Sequence, residues 1–339
     1  MAFFNNKGGV GKTTLACNVA AHLALNRNLR VLMLDADPQC NSTQLVLAPA
    51  VWDELYWSDK TLNSTLIDIM RPLEDGEPSV DESIQPLSGH MNRFGFDLLP
   101  GHPRMSIIED LLSRAWSDAA GGDVGGIRRT RWASALERMY GDKYDVMFVD
   151  VGPSLGSLNR SLLLECDYFV TPMAADIFSI VGVRNIRQWL NQWISSYKSA
   201  AQLCEKNHPG ALARYFDDEQ VRIENGFAGY TVQQYVTKSK QGVRRPTAAF
   251  ETILGRVPNE VSESLGVYFA DGVDDDAAKL GDVPSMYSLV PLAQSCNSPI
   301  MSLTSSDGLA GGQYSQQEGY VAVINAVSNS LARNIGFDA

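Results

Sequence analysis

Apolar and polar positions alternate in two distinct ways along the first part of the chain. Leu15, Val19 and Leu23 recur every four residues, with Ala16, Ala20 and Ala24 beside them. That spacing predicts an amphipathic helix with a small-residue seam suited to packing on a sheet. A polar turn at 26–28 follows. Val31-Leu32-Met33-Leu34 is then a continuous apolar run, the pattern of a parallel strand covered on both faces. It ends in Asp35-Ala36-Asp37-Pro38-Gln39. A second run, 144–150, also ends in a carboxylate, Asp150, and leads into Val151-Gly152-Pro153-Ser154-Leu155-Gly156. Further strands are expected at 96–101, 167–173, 227–236 and 252–257. Helices are expected at 62–69, 105–116, 128–140, 181–197 and 316–333, the last with Tyr320, Ile324, Val327 and Leu331 on one stripe. Trp189 and Trp193 share a face of the 181–197 helix and read as core packing.

Between 48 and 95 the pattern weakens. Pro49, Pro72, Pro78 and Pro86 interrupt it, and 74–82 is acidic. A glycine-rich break is expected at 121–126 and a Ser/Gly-rich loop at 302–312. The acidic loop at 271–276 lacks the ligand spacing of a calcium loop. Strand, glycine-rich turn, helix, strand, acid is the order of an α/β fold with a mostly parallel, doubly wound sheet flanked by helices. Ligands in such sheets bind at the carboxyl ends of the strands. The chain reads as a single domain over 1–339.

Composition narrows the classes. The hydrophobic fraction of 45% is ordinary for a globular protein, and no apolar run approaches the length of a membrane span. The five cysteines are far apart and form no C-x-x-C pair, so neither a disulfide framework nor a metal site is expected, and a reduced, cytoplasmic setting fits. With a glycine-rich loop within the first ten residues, neither a secretory leader nor a helix-turn-helix domain is expected ahead of it. A net charge of −11 argues against a strongly basic nucleic-acid binder but allows a local basic patch.

The chemistry concentrates in Asn5-Asn6-Lys7-Gly8-Gly9-Val10-Gly11-Lys12-Thr13-Thr14. Gly8, Gly9 and Gly11 let backbone N–H groups approach an anion. A helix starting near Thr13 points its positive end at the same spot. Lys12 can reach the β/γ-phosphates of a nucleotide, and the Thr13 hydroxyl can ligate Mg²⁺. The strict G-x-x-x-x-G-K-[ST] pattern is not met, because Asn6 stands at its first glycine; instead a second lysine, Lys7, precedes Gly8-Gly9.

This two-lysine loop resembles the deviant Walker A motif of the ParA/MinD family of P-loop ATPases. Asp35-Ala36-Asp37-Pro38-Gln39 resembles that family's first switch, and 148–156 its Walker B strand and second switch. The Leu98-Leu99-Pro100-Gly101 turn and the helix after it are also similar. The likeness is close over the first half of the chain and loose after residue 200, and the chain is longer than a minimal member of that family, which implies insertions near 48–95, 204–225 and 266–282. It implies ATP and Mg²⁺ as ligands, with Lys12 neutralising the phosphates and Thr13 on the metal. It further implies Asp150 and Asp35 as metal supports, Asp37 positioning the attacking water, and Lys7 crossing to a partner subunit's ATP. Pro258 and Asn259 weakly resemble the stretch that touches adenine in relatives.

Several functions share such a site. The ParA-like expectation is an ATP-dependent homodimer that hydrolyses slowly, binds DNA without sequence preference and answers to an activating protein partner. A MinD-like membrane role requires a basic amphipathic C-terminal helix, whereas 331–339 carries one arginine. A metabolic ATP-dependent enzyme on the same fold, or a ParA-like ATPase recruited to defence or conjugation, stays open. Candidate DNA contacts are Arg184 and Arg187, which share a helix face, and Lys238, Lys240, Arg244 and Arg245 in a stretch without an acid. The plainer alternative for these six is a solvated surface.

Overall fold

A computed structural model describes residues 1–57, 64–216, 221–233, 237–240, 243–246, 252–286 and 288–337. Its strands are β1 (Ala2–Phe3), β2 (Val31–Asp35), β3 (Asp97–Leu99), β4 (Val146–Asp150), β5 (Phe169–Ala174), β6 (Phe227–Gln233), β7 (Thr237–Lys240), β8 (Val243–Pro246) and β9 (Lys279–Val283). Seven of them form one parallel sheet in the order β3-β2-β4-β1-β5-β6-β9. Helices cover both faces. They are α1 (Lys12–Arg27), α2 (Asn41–Val46), α3 (Pro49–Tyr56), α4 (Leu66–Ile69), α5 (Arg71–Glu74), α6 (Met105–Ala120) and α7 (Val124–Thr130). After them come α8 (Ser134–Tyr140), α9 (Ser157–Glu165), α10 (Ile177–Asn207), α11 (Val257–Leu265), α12 (Leu289–Ser295) and α13 (Gln313–Asn334).

The period of two along a strand decides which core each side chain joins. In β2, Leu32 and Leu34 enter the core shared with α6, α9 and α10. Val31 and Met33 enter the opposite core, with α1 and α13. The α13 stripe of Tyr320, Ile324, Val327 and Leu331 is buried as its spacing predicts, and burial of each such side chain is worth about 1.5–3 kcal/mol. Trp193 is buried and Trp189 partly so, in the same core. Among the described residues, no helix is long and apolar enough to cross a membrane.

Four expectations are corrected. The prolines at 49 and 72 start helices: Pro49 opens α3 and Pro72 lies in the first turn of α5, where a missing N–H costs nothing. Residues 252–254 are helical and Val257 begins α11, so the strand expected at 252–257 is absent. The stretch read as an insertion at 266–282 runs into the seventh strand, β9, at the sheet edge. The break at 121–126 ends early: Asp123 caps α7 through Gly126 N, and Gly125 and Gly126 are helical. A Cβ on Gly126 would meet Ala119 N at 2.5 Å, so glycine there permits the close approach of α6 and α7. The helix expected from 62 and the end of the strand at 234–236 lie partly outside the described residues.

Candidate functional site

The loop between β1 and α1 is shaped by its glycines. Gly9 (φ 73°) and Gly11 (φ 77°) hold left-handed backbone, which a Cβ would strain. Gly11 is the residue before α1 and presents no side chain to its free amides. A Cβ built on Gly8 or Gly9 would meet no atom within 4 Å. Asn5 anchors the loop from below. Its Nδ2 donates to Pro172 O at 2.7 Å and its Oδ1 accepts from Lys7 N at 2.9 Å. Val10 is buried, and Thr14 O accepts from Asn18 Nδ2.

Three carboxylates converge opposite this loop at the carboxyl ends of β2 and β4. The parallel register sets Asp35 beside Asp150. Asp35 is fully buried and accepts from Thr43 N and Thr43 Oγ1, both at 2.7 Å. Burial, then the neighbouring Asp150, pushes its carboxyl well above the usual range. Asp150 is raised too, chiefly by burial, against the hydrogen bonds it accepts from Ser42 and Thr13. Thr13 Oγ1 donates to Asp150 Oδ2 at 2.8 Å, while Asp150 Oδ1 is buried without a hydrogen-bond partner among the described residues. Asp37 is buried; its Oδ1 accepts from Gln39 N at 3.0 Å. A Cβ on Gly152 would lie 3.1 Å from Asp37 Oδ1, so that glycine lets the two switch loops touch.

Lys12 is buried and its Nζ donates to Lys7 O at 3.3 Å. Burial lowers its pKa, with Asp150 and Asp37 acting in the other direction. Lys7 points elsewhere: its ammonium pairs with Asp176, the residue that caps α10 by accepting from Ser179 N. Burial raises the Asp176 pKa, but Lys7 and Ser179 together outweigh it and leave it lowered.

The structure adds residues that the sequence did not single out. Ser42 and Thr43, directly after the first switch, hold Asp150 and Asp35; their place behind Asp-Pro-Gln was the available signal. Asn159 Nδ2 donates to Gly152 O and Ser154 O, both at 2.8 Å, and so ties down the second switch. Glu109 of α6 accepts from Ser157 N and Leu158 N, the first amides of α9. No local pattern announces Glu109 or Asp176, because both act across the fold.

The remaining candidates lie apart from this cluster of contacts. Pro258 and Asn259 are exposed in the first turn of α11, which packs on α10. Arg184 makes a two-pronged pair with Glu260, both contacts at 2.6 Å, and Arg187 Nη1 donates to Glu263 O at 2.8 Å. Both arginines therefore clamp α10 to α11. β7 and β8 form a separate antiparallel ribbon, with Lys238 opposite Arg245, Ser239 opposite Arg244 and Lys240 opposite Val243.

Comparison with known proteins agrees with this architecture. Residues 1–203 match the family model AAA_31, an AAA domain. The chain is 30% identical over 192 residues to the chromosome-partitioning ATPase Soj of Thermus thermophilus, covering 57% of this chain and 61% of that one. It is 26% identical over 190 residues to the virulence plasmid ParA family protein pGP5-D of Chlamydia muridarum, covering 56% and 60%. The chain thus spans about three fifths of the length of these relatives. Among solved structures, protein DIP2308 of Corynebacterium diphtheriae superposes with a TM-score of 0.74 at 32% identity, covering 100% of this chain and 99% of that one. The pnob8 ParA structure shares the fold, with a TM-score of 0.59 at 19% identity. With its two-lysine loop, paired switch aspartates and matching family model, the chain belongs to the ParA/MinD family of P-loop ATPases.

Proposed function

We propose that this protein is an ATP-driven switch: it binds Mg-ATP, pairs with a second copy, hydrolyses slowly and separates, in the service of DNA segregation or cargo positioning. The observation that carries the reading is the division of labour between the two lysines. Lys12 is buried within the loop, as a group that neutralises β/γ-phosphate charge must be. Lys7 is parked on Asp176, at the mouth of the site, where a partner's nucleotide could draw it away. A cation supplied in trans offsets the charge that phosphoryl transfer spreads over its oxygens.

The residues present suit Mg²⁺. Asp150 Oδ1 has no partner among the described residues, Asp150 and Asp37 act on the Lys12 ammonium, and Asp35 stands beside Asp150. Thr13 would hold the ion directly and Asp150 through water, with Asp35 behind them. When bound, Mg²⁺ supplies charge neutralisation on the phosphate oxygens. Asp37, held by Gln39 N and close to Gly152, would orient the attacking water. Gly8, Gly9, Val10, Gly11, Lys12, Thr13 and Thr14 form the cradle; Pro258 and Asn259 remain the proposed adenine contacts. For DNA, the β7–β8 ribbon is the better candidate, since Arg184 and Arg187 are already engaged. Its contacts would be to phosphates, so affinity should fall steeply with salt and ignore sequence, and dimerisation would raise avidity.

The test combines three measurements on purified protein. Nucleotide binding should be abolished in Lys12→Ala. Turnover should be lost while binding is kept in Asp37→Ala, and that variant should dimerise with ATP but not with ADP. Binding to random duplex DNA should require ATP and the ribbon's basic residues. Equal turnover in wild type and Asp37→Ala, or a monomer at saturating ATP, would refute the switch reading. Absence of DNA binding at low salt would remove that part alone.

A further inference from the structure

Away from the phosphate loop, α6, α9 and α10 enclose a concave site of about 290 Å³, with Arg160 in its wall. Four serines line it from three helices: Ser113 and Ser117 from α6, Ser157 from α9 and Ser196 from α10. Arg160 is unusual among the described arginines around the core. Among the described residues, its buried Nε has no hydrogen-bond partner and no carboxylate pairs with it within 4 Å. Its guanidinium faces the rings of Trp116 and Trp193, at 5.0 and 5.6 Å from their centroids. Burial lowers its pKa, and the Glu109 charge offsets this only in part. The Glu109 carboxylate is itself committed to Ser157 N and Leu158 N.

A half-buried, permanently charged group with an unmet donor is costly unless something accepts from it. Aromatic faces stabilise the flat faces of a guanidinium but leave its N–H edges unsatisfied. Those edges suit an oxyanion, and serine hydroxyls are short donors that would complete its shell. The geometry points to a second anion site, separate from the nucleotide cradle, that takes a phosphate group: free phosphate or a small phosphate monoester. Arg160 lies one turn beyond Gly156, at the end of the second switch loop. An oxyanion bound there would tie α6, α9 and α10 together just behind that loop, making the site suited to an effector that sets the mobility of the switch.

The experiment uses the full chain and its own reporters, Trp116 and Trp193. With magnesium and a saturating non-hydrolysable ATP analogue filling the cradle, tryptophan emission is followed while inorganic phosphate is added at constant ionic strength. A saturable change is expected below about 20 mM phosphate. Arg160→Gln should weaken it about tenfold or more, the scale of a lost charge-assisted contact. Ser196→Glu places a carboxylate at the exposed rim; it should pair with Arg160, raise the melting temperature and abolish the response, which covers the case in which Arg160→Gln does not fold. Lys12→Ala without nucleotide should respond as wild type does, so the result does not depend on whether the chain binds ATP. A phosphate monoester binding much more tightly than inorganic phosphate would identify a phosphorylated small molecule as the ligand; equal binding would identify free phosphate. No saturable change in wild type, an unaltered Arg160→Gln, or a response lost in Lys12→Ala and kept in Arg160→Gln would overturn the inference.

Discussion

Replacing Asp176 by Asn should strengthen the ATP-dependent dimer. The substitution removes the charge that holds Lys7 but keeps an oxygen for Ser179 N, which Asp176 Oδ1 caps at 2.9 Å. Both side chains of the pair are one-third exposed, so solvent screens it and its worth is about 1 kcal/mol, the upper part of the range for exposed pairs. If each Lys7 must leave Asp176 to reach the other subunit's nucleotide, a symmetric dimer breaks two such pairs. The variant then gains about 2 kcal/mol, or roughly a thirtyfold lower dissociation constant. Analytical ultracentrifugation with ATP, in an Asp37→Ala background that blocks hydrolysis, measures it. Lys7→Ala should weaken the dimer, and adding Asp176→Asn to Lys7→Ala should give no further gain, which isolates the pairwise effect. An unchanged or weaker dimer in Asp176→Asn would show that Lys7 is not restrained by this carboxylate.

Three other outcomes are expected. Asp35 and Asp150 have raised pKa values in the folded chain, so the folded state binds more protons than the unfolded one above the ordinary carboxylate value near 4. Stability without ligand should therefore be highest in mild acid and fall as pH rises through the raised values; urea midpoints at several pH values test this, and Asp35→Asn should flatten the slope. Gly156→Ala would drive a Cβ into Glu109 Oε1; the strain should cost about 1–3 kcal/mol, and pairing it with Glu109→Ala should leave no more loss than Glu109→Ala alone in thermal melts. Phe178 is 72% exposed on the first turn of α10, beside Asp176, so Phe178→Ser should change monomer stability by less than about 0.5 kcal/mol and weaken the dimer seen by light scattering.

What the sequence disclosed, and what it withheld, follows from the range of each interaction. β2 and β4 were legible because strands buried on both faces must be apolar throughout, and each ends in the acid that marks the site. β9 was not, because an edge strand needs few apolar contacts: in Lys-Leu-Gly-Asp-Val only Leu280 and Val283 are buried. Thr252-Ile253-Leu254 favours a strand locally, yet the segment is helical and leads into α11, with Pro258 in its first turn. In the site, Lys12, Thr13 and the aspartates stand at fixed offsets within short motifs. Asp176 meets Lys7 across 169 residues, and Glu109 meets Ser157 across 48. Only the folded sheet brings those pairs together.

The length of α10 gives the Lys7–Asp176 contact a reach of its own. Its 31 residues, at a rise of 1.5 Å each, form a rod about 46 Å long. One end is fixed beside the phosphate loop; the other, at Cys204, is buried, and Leu203 lies against Gly122. A rod of that length amplifies angle into distance: a tilt of about 5° at the Asp176 end moves the far end by roughly 4 Å. Because Arg184 and Arg187 fasten α11 to the same rod, that helix would be carried with it. If Lys7 leaves Asp176 for a nucleotide, as proposed, that exchange at one end of the sheet would alter the surface offered at the other, with no rearrangement of the strands between.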